Sequence, residues 1–162
     1  MFNFSRLAVF SMLVAVGALA ETHTVTFENN CGFGTPQLVQ NGNVLSTGTP
    51  FTSNGPLAAV IASVFILDMR GSCGQNAEGC TLVETTLQNP TTPGGGSSSD
   101  ISLIPPHTFS VPSGFRYENG CDGTGTDCTD ASCPLAFRNP DDTFAQVACQ
   151  ANDVNLVITF CE

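Results

Sequence analysis

The sequence predicts an all-β protein, a sandwich or a barrel, that is stapled by disulfide bonds. Its apolar residues fall in many short segments, and turns rich in Gly and Pro separate most of them. No segment shows a long helical period. Eight cysteines complete the pattern, because an even number of cysteines behind a secretion signal predicts a disulfide framework, although 105 pairings are open.

The first 20 residues have the three parts of a secretory signal peptide. Arg6 provides the positive flank, residues 7–19 form the apolar stretch, and residues 18–20 (Ala-Leu-Ala) form a small-x-small cleavage site. A membrane anchor is the weaker alternative, since a bilayer-spanning helix needs about 20 apolar residues. We therefore expect a signal peptide at residues 1–20 and one secreted domain at residues 21–162, located outside the cell or in the cell wall.

Three strand segments are predicted in the first half of the mature chain. Val25 and Phe27 alternate with polar residues, which is typical of a half-buried strand. Asn41-Gly42 stands between two apolar pairs and predicts a tight hairpin. Residues 57–67 form the longest apolar run, rich in Val and Ile, and predict a strand buried on both faces.

The second half contains further strand candidates around one unusual segment. The candidates are residues 81–87, 101–104, 108–111, 144–149 and 154–160. Residues 89–100 contain two prolines, three consecutive glycines and three consecutive serines, and predict an exposed, flexible loop. Asp141 and Asp142 follow Pro140 and are expected to be turn residues.

No metal or cofactor is expected. The cysteines form no CxxC pair, and the two histidines lie far from them in sequence. We expect both His23 and His107 to be exposed residues of loops or strands. Phosphate-binding, dinucleotide-binding and zinc-protease motifs are absent from the sequence. Carboxylates are the abundant catalytic side chains, and hydrolysis of a glycosidic bond uses a pair of them.

The charge of the mature chain excludes several classes of partner. Beyond residue 20 there are 14 acidic residues against three arginines and no lysine, which gives a net charge of −11. Such a surface repels phosphate backbones and anionic lipids, so neither a nucleic acid nor a membrane is expected as a partner. Neutral polymers and extracellular proteins remain as the expected classes of partner.

Seven segments, in order along nearly the whole mature chain, resemble the thaumatin-like family. They are residues 24–31 (TVTFENNC), 71–80 (GSC to GC), 81–87 (TLVETTL), 100–104 (DISLI), 133–137 (CPLAF), 141–144 (DDTF) and 155–161 (NLVITFC). Longer family members insert a cysteine-rich second domain between the equivalents of Cys128 and Cys133, where this chain has four residues. The chain therefore resembles a short, divergent member that lacks the second domain.

The resemblance implies a fold and a disulfide pairing. The fold is a flattened, disulfide-stapled antiparallel β-sandwich that corresponds to the first domain of the family. The implied bonds join Cys31 to Cys161, Cys73 to Cys80, Cys121 to Cys149, and Cys128 to Cys133.

The resemblance also implies a depleted version of the family's acidic cleft, which uses an arginine, a glutamate and three aspartates. Glu84 and Asp100 match two of these positions. Pro105 and Leu135 stand where two aspartates would be, and Arg70 lies near the arginine position without coinciding with it. Glu84 and Asp100 are therefore the candidate ligand-binding residues and, if the protein is an enzyme, the candidate catalytic pair.

Three functions compete at this point. The first is a non-catalytic, monomeric binder of cell-wall polysaccharide (β-glucan), with a role in defence or at the wall. The second is an endo-β-1,3-glucanase that uses Glu84 and Asp100. The third is an acidic structural or host-interaction protein that binds a protein partner. Sugar binding favours aromatic platforms, and the chain has no Trp and one Tyr, Tyr117, so a platform would draw on its phenylalanines.

Overall fold

A computed structural model of the protein describes residues 21–65, 73–74 and 76–162. The predicted signal peptide, Arg70 and residues 66–67 of the longest apolar run lie outside these residues. The described part contains twelve strands and one short 3-10 helix (Thr143–Ala145). None of its helices is long and apolar enough to span a membrane. The strands are β1 (Thr22–Asn29), β2 (Thr35–Gln40), β3 (Asn43–Ser46), β4 (Phe51–Asn54), β5 (Leu57–Phe65), β6 (Leu82–Leu87), β7 (Ser97–Ser102), β8 (Ser113–Glu118), β9 (Gly125–Cys128), β10 (Ala136–Phe137), β11 (Val147–Cys149) and β12 (Asn155–Phe160).

The strands form two sheets, which confirms the predicted all-β sandwich. The five-stranded sheet has the order β4-β1-β12-β8-β9, and the seven-stranded sheet has the order β10-β7-β6-β5-β2-β3, with β11 also paired to β7. Most pairs are antiparallel, but β1 pairs with β12, and β7 with β10, in parallel. A parallel pair needs a long connection, and nearly the whole chain runs between β1 and β12.

The main hydrophobic core lies between the two sheets, and a smaller cluster is formed by Cys73, Ala77, Cys80 and Leu82. The main core combines side chains from the inner faces of both sheets, among them Val25, Phe115 and Leu156 from one, and Val60 and Ile101 from the other. All five are at most 2% exposed. Each contributes about 1.5 to 3 kcal/mol through the burial of apolar surface. The inner face of each sheet is thereby committed to the core, and function is left to the outer faces and edges.

All four predicted disulfide bonds are confirmed, and the eight cysteines are all paired. Cys31 lies two residues after β1 and Cys161 directly follows β12, the strand paired with β1, and the two Cα atoms are 5.0 Å apart. Cys121, in the turn before β9, is bonded to Cys149 of β11 and so ties the two sheets together.

The predicted hairpin and most of the predicted strands are present. Asn41 and Gly42 have φ values of 50° and 76°, as both central residues of a type I′ turn require, and they join β2 to β3. The prediction of a strand at residues 108–111 is wrong. The Ser110 backbone N–H donates to the Thr81 hydroxyl (2.9 Å) rather than to a neighbouring strand.

The prediction of a flexible loop over residues 89–100 is wrong for its last part, because β7 begins at Ser97. Ser97 and Ser99 are fully buried. The Ser99 hydroxyl is 2.6 Å from the Thr85 hydroxyl and 3.0 Å from that of Tyr117, so the core supplies its hydrogen-bond partners. The turn before β7 is tethered as well, since Gln150 Oε1 accepts hydrogen bonds from two of its backbone N–H groups.

The expectation of an exposed His23 is also wrong. His23 lies in β1 on the same inward-facing side as Val25, and it is fully buried. Its Nδ1 is 2.7 Å from the carbonyl oxygen of Val154, and its Nε2 is 2.9 Å from Glu21 Oε1. Both ring nitrogens therefore have a polar partner, as buried polar groups usually do. His107 lies in a loop as expected, but it is half-buried against Ala77, whose carbonyl oxygen is 3.0 Å from its Nδ1.

Candidate functional site

Glu84 and Asp100 lie side by side on the outer face of the seven-stranded sheet. Val83, Thr85 and Leu87 of β6 point into the core, so the alternation of a strand places Glu84 on the opposite face. In the antiparallel register of β6 and β7, Glu84 is directly opposite Asp100. Directly opposed residues have Cβ atoms about 4.5 to 5.5 Å apart, so the sheet itself brings the two carboxyl groups together.

The two carboxyl groups line an open cleft of about 330 Å³ that crosses three strands. Its wall at β5 contains a bulge, where Ala59 has a φ of 52° and its backbone N–H donates to the Thr86 hydroxyl (3.1 Å). The cleft is lined by residues 59–61 of β5, residues 84–86 of β6, Ser98 and Asp100 of β7, and Gln146. The lining therefore combines carboxyl, hydroxyl and amide groups with short apolar patches.

The environment of Asp100 favours its neutral form. Burial of the side chain, followed by the negative charge and the hydrogen bond of Glu84, raises the pKa of Asp100 to about 7. Within the described part of the chain, Asp100 Oδ1 is buried and has no hydrogen-bond partner. Below about pH 7 Asp100 is therefore protonated, and its carboxyl group can both donate and accept hydrogen bonds.

The other residues singled out in the sequence lie away from the cleft. Asp142 Oδ2 accepts hydrogen bonds from the backbone N–H groups of Arg138 (3.0 Å) and Asn139 (2.9 Å), and these bonds lower the pKa of Asp142. It is a turn residue, as predicted. Pro105 and Leu135 are exposed and are not part of the cleft lining.

Two features of the site were not visible in the sequence. Gln146 reaches the cleft because β11 pairs with the outer edge of β7, and no local motif marks it. Tyr117 is fully buried, and its hydroxyl is 3.0 Å from both Ser99 Oγ and the carbonyl oxygen of Val147, so it cannot serve as a surface platform. Burial raises the pKa of Tyr117 to about 12.

Metal binding has no support in the described residues. Within residues 21–65, 73–74 and 76–162, no three or more His, Cys, Asp or Glu side chains are grouped in a way that could hold a metal ion.

Comparison with known proteins identifies the family. The thaumatin-like pathogenesis-related protein 2 of Avena sativa is 33% identical over 175 residues, which cover 98% of this chain and 95% of the relative. The chain belongs to the thaumatin-like family. The thaumatin-like pathogenesis-related protein 4 of Avena sativa is 29% identical to this thaumatin-like protein over 172 residues, which cover 97% of the chain and 98% of the relative. No family model matches the chain.

This thaumatin-like protein and the two relatives are similar in length. Because nearly all of each relative is covered, both relatives are about as short as this chain. The short connection between Cys128 and Cys133 is therefore compatible with membership of the family. It leaves the outer face that carries Glu84 and Asp100 as an open cleft.

Proposed function

We propose that this thaumatin-like protein is a secreted, non-catalytic protein that binds neutral cell-wall β-glucan through the cleft around Glu84 and Asp100. The observation that carries the proposal is the direct opposition of these two carboxyl groups in an open cleft with other polar side chains. Binding at this cleft requires no chemical step. It requires hydrogen bonds to sugar hydroxyl groups and an opening long enough for a polymer.

The lining of the cleft suits a sugar chain. Sugar hydroxyl groups donate to carboxyl oxygens such as those of Glu84, which is half-buried and lines the cleft. Thr86, Ser98 and Gln146 supply further donors and acceptors. Ile61 provides an apolar surface for the C–H face of a sugar ring. The cleft is open rather than enclosed, so a long polysaccharide can enter from the side.

The geometry of the carboxyl pair favours binding over hydrolysis. Glu84 and Asp100 are directly opposite each other on one face of the same sheet, so both carboxyl groups meet a bound sugar from the same side. In glycosidases the two carboxyl groups flank the scissile bond, and inverting enzymes also leave room between them for a water molecule. We therefore propose that the pair binds hydroxyl groups at the cleft floor.

Charge, disulfides and relatives support the rest of the proposal. A mature chain with a net charge of −11 is compatible with a neutral polymer and repels anionic ones. Four disulfide bonds are typical of proteins that mature in an oxidising compartment, and the N-terminal signal agrees with secretion. Both Avena sativa relatives are named pathogenesis-related proteins, and we propose a defence role for this chain as well.

The test combines retention on polymers with an assay for hydrolysis. The full chain is secreted from an oxidising host, and its retention on insoluble β-1,3-glucan, chitin and cellulose is measured together with the release of reducing sugar from laminarin. The variants are Glu84→Gln and Asp100→Asn. The matched control is Glu118→Gln, which removes an exposed carboxylate of β8 in the other sheet.

We expect retention on β-1,3-glucan without release of sugar. Retention at pH 8, where Asp100 is ionised, should fall by about tenfold in each cleft variant, because a hydrogen bond to a charged group contributes roughly 1.5 kcal/mol, and should be unchanged in the control. Absence of retention on every polymer would refute the proposal. Release of sugar that disappears in both cleft variants would instead establish a glucanase.

A further inference from the structure

We infer that Phe144 is a stacking platform for a sugar ring at the rim of the cleft. The inference rests on the proposed function, since it assigns a further binding residue to the same site. It also answers a difficulty raised by composition, because the chain has no Trp and its single Tyr is buried in the core.

Two of the aromatic side chains that the structure describes are exposed, and these two are the candidates for a stacking platform. Phe33 is 52% exposed and Phe144 is 71% exposed. The others are buried or half-buried: Phe27, Phe51, Phe109, Phe115, Tyr117, Phe137 and Phe160. A phenylalanine ring with this exposure is accessible to a ligand, so its position relative to the cleft decides whether it can contact a bound sugar.

The two candidates differ in their position relative to the cleft. Phe144 is the middle residue of the 3-10 helix, and Gln146, which follows the helix, lines the cleft. Two residues of chain span at most about 7 Å, so Phe144 stands next to the cleft wall. Phe33 lies in the turn between β1 and β2, and β2 is separated from β7 by β5 and β6.

The local structure holds the Phe144 ring on the outside of the protein. Ala145 is 3% exposed and anchors the 3-10 helix in the core, while Phe144 and Gln146 on either side of it are exposed. The helix ends with a hydrogen bond from the Gln146 N–H to the carbonyl oxygen of Thr143 (3.3 Å). The adjoining β11 is held to β7 by strand pairing and to the β8–β9 turn by the Cys121–Cys149 bond. The segment that contains Phe144 is thus held in place by strand pairing and by a disulfide bond.

The chemistry fits a pyranose ring of a β-glucan. One face of such a ring presents C–H groups, which pack against the flat, apolar face of an aromatic side chain. The hydroxyl groups at the edge of the same ring are then available to Gln146 and to the carboxyl groups of the cleft. A ring and a polar floor together select a sugar over a purely apolar ligand.

The test uses the two exposed phenylalanines as a matched pair. The retention of Phe144→Ala and Phe33→Ala variants of the full chain on insoluble β-1,3-glucan is compared with that of the unaltered protein. We expect Phe144→Ala to weaken retention by about tenfold, since covering roughly half of a phenylalanine ring contributes that factor. Phe33→Ala should change retention by less than about twofold. Phe144→Trp should retain binding, whereas Phe144→Leu should not.

The absence of tryptophan from the sequence permits a direct optical readout. In Phe144→Trp the new side chain is the only tryptophan, and its fluorescence should shift to shorter wavelength when laminarin is added. Phe33→Trp should show no shift. If the unaltered protein is retained on the glucan while Phe144→Ala is retained equally well, the inference is wrong and the proposed function stands. If the unaltered protein is not retained, both fail.

Discussion

Replacing Asp100 with asparagine should stabilise the protein at pH 8 and leave its stability nearly unchanged at pH 4. Asp100 holds its proton in the folded state up to about pH 7, whereas in the unfolded chain it ionises near its ordinary value of 3.8. Between these values the folded state binds more protons, so the free energy of unfolding falls as pH rises. Asparagine keeps the shape of the neutral acid and cannot ionise.

The size of the effect follows from the pKa of Asp100. A rise from 3.8 to about 7 corresponds to at most about 4 kcal/mol, at 1.36 kcal/mol for each pH unit. The side chain is partly exposed, so solvent screening reduces this to about 2 kcal/mol. For a domain of this length, 2 kcal/mol corresponds to a shift in Tm of about 4 to 8 °C.

Thermal and urea unfolding followed by circular dichroism, with the disulfide bonds intact, measures this effect at pH 4 and pH 8. Asp141→Asn is the control, since it makes the same substitution at an exposed turn. Asp100→Asn should gain stability over the unaltered protein only at the higher pH. A gain of equal size at both pH values, or no gain at pH 8, would refute the account of the carboxyl pair.

Two further predictions concern the core and the disulfide bonds. Because Tyr117 is the single tyrosine and burial raises its pKa to about 12, the rise in absorbance near 295 nm should have its midpoint near pH 12; a midpoint near 10 would contradict the buried hydroxyl. Replacing Cys31 and Cys161 with alanine should reduce the free energy of unfolding by about 5 kcal/mol, because that bond closes a loop of 130 residues. The corresponding change at Cys128 and Cys133, five residues apart, should cost about 2 kcal/mol. Equal losses in urea unfolding would argue against the chain-entropy explanation.

The sequence pattern predicted the strands that are rich in apolar residues. It missed strands whose residues are buried by contacts with distant parts of the chain. β5, β6 and β12 are rich in Val, Ile and Leu, so their segments stand out in the sequence. β8 was not predicted, although Phe115 and Tyr117 alternate with polar residues as Val25 and Phe27 of β1 do. Ser99 of β7 is buried against hydroxyl groups from β6 and β8, which no local rule reveals.

The site was predictable only in part for the same reason. Resemblance to the family selected Glu84 and Asp100, but their direct opposition depends on the register of β6 and β7. Gln146 and Phe144 lie near them because β11 pairs with the outer edge of β7, far along the chain. Residues that reach a site through long-range pairing carry no signal in their own neighbourhood.

The most direct test of the proposed site is a titration of the ¹⁵N-labelled protein with a soluble β-1,3-glucan oligosaccharide, followed by NMR. The account predicts chemical-shift changes at the cleft residues of β5, β6 and β7 and at Gln146, with none on the outer face of β8 and β9. No new reducing-end anomeric signals of the oligosaccharide should appear in the same sample, as expected for binding without cleavage. Shift changes confined to another surface, or none at saturating oligosaccharide, would contradict the account.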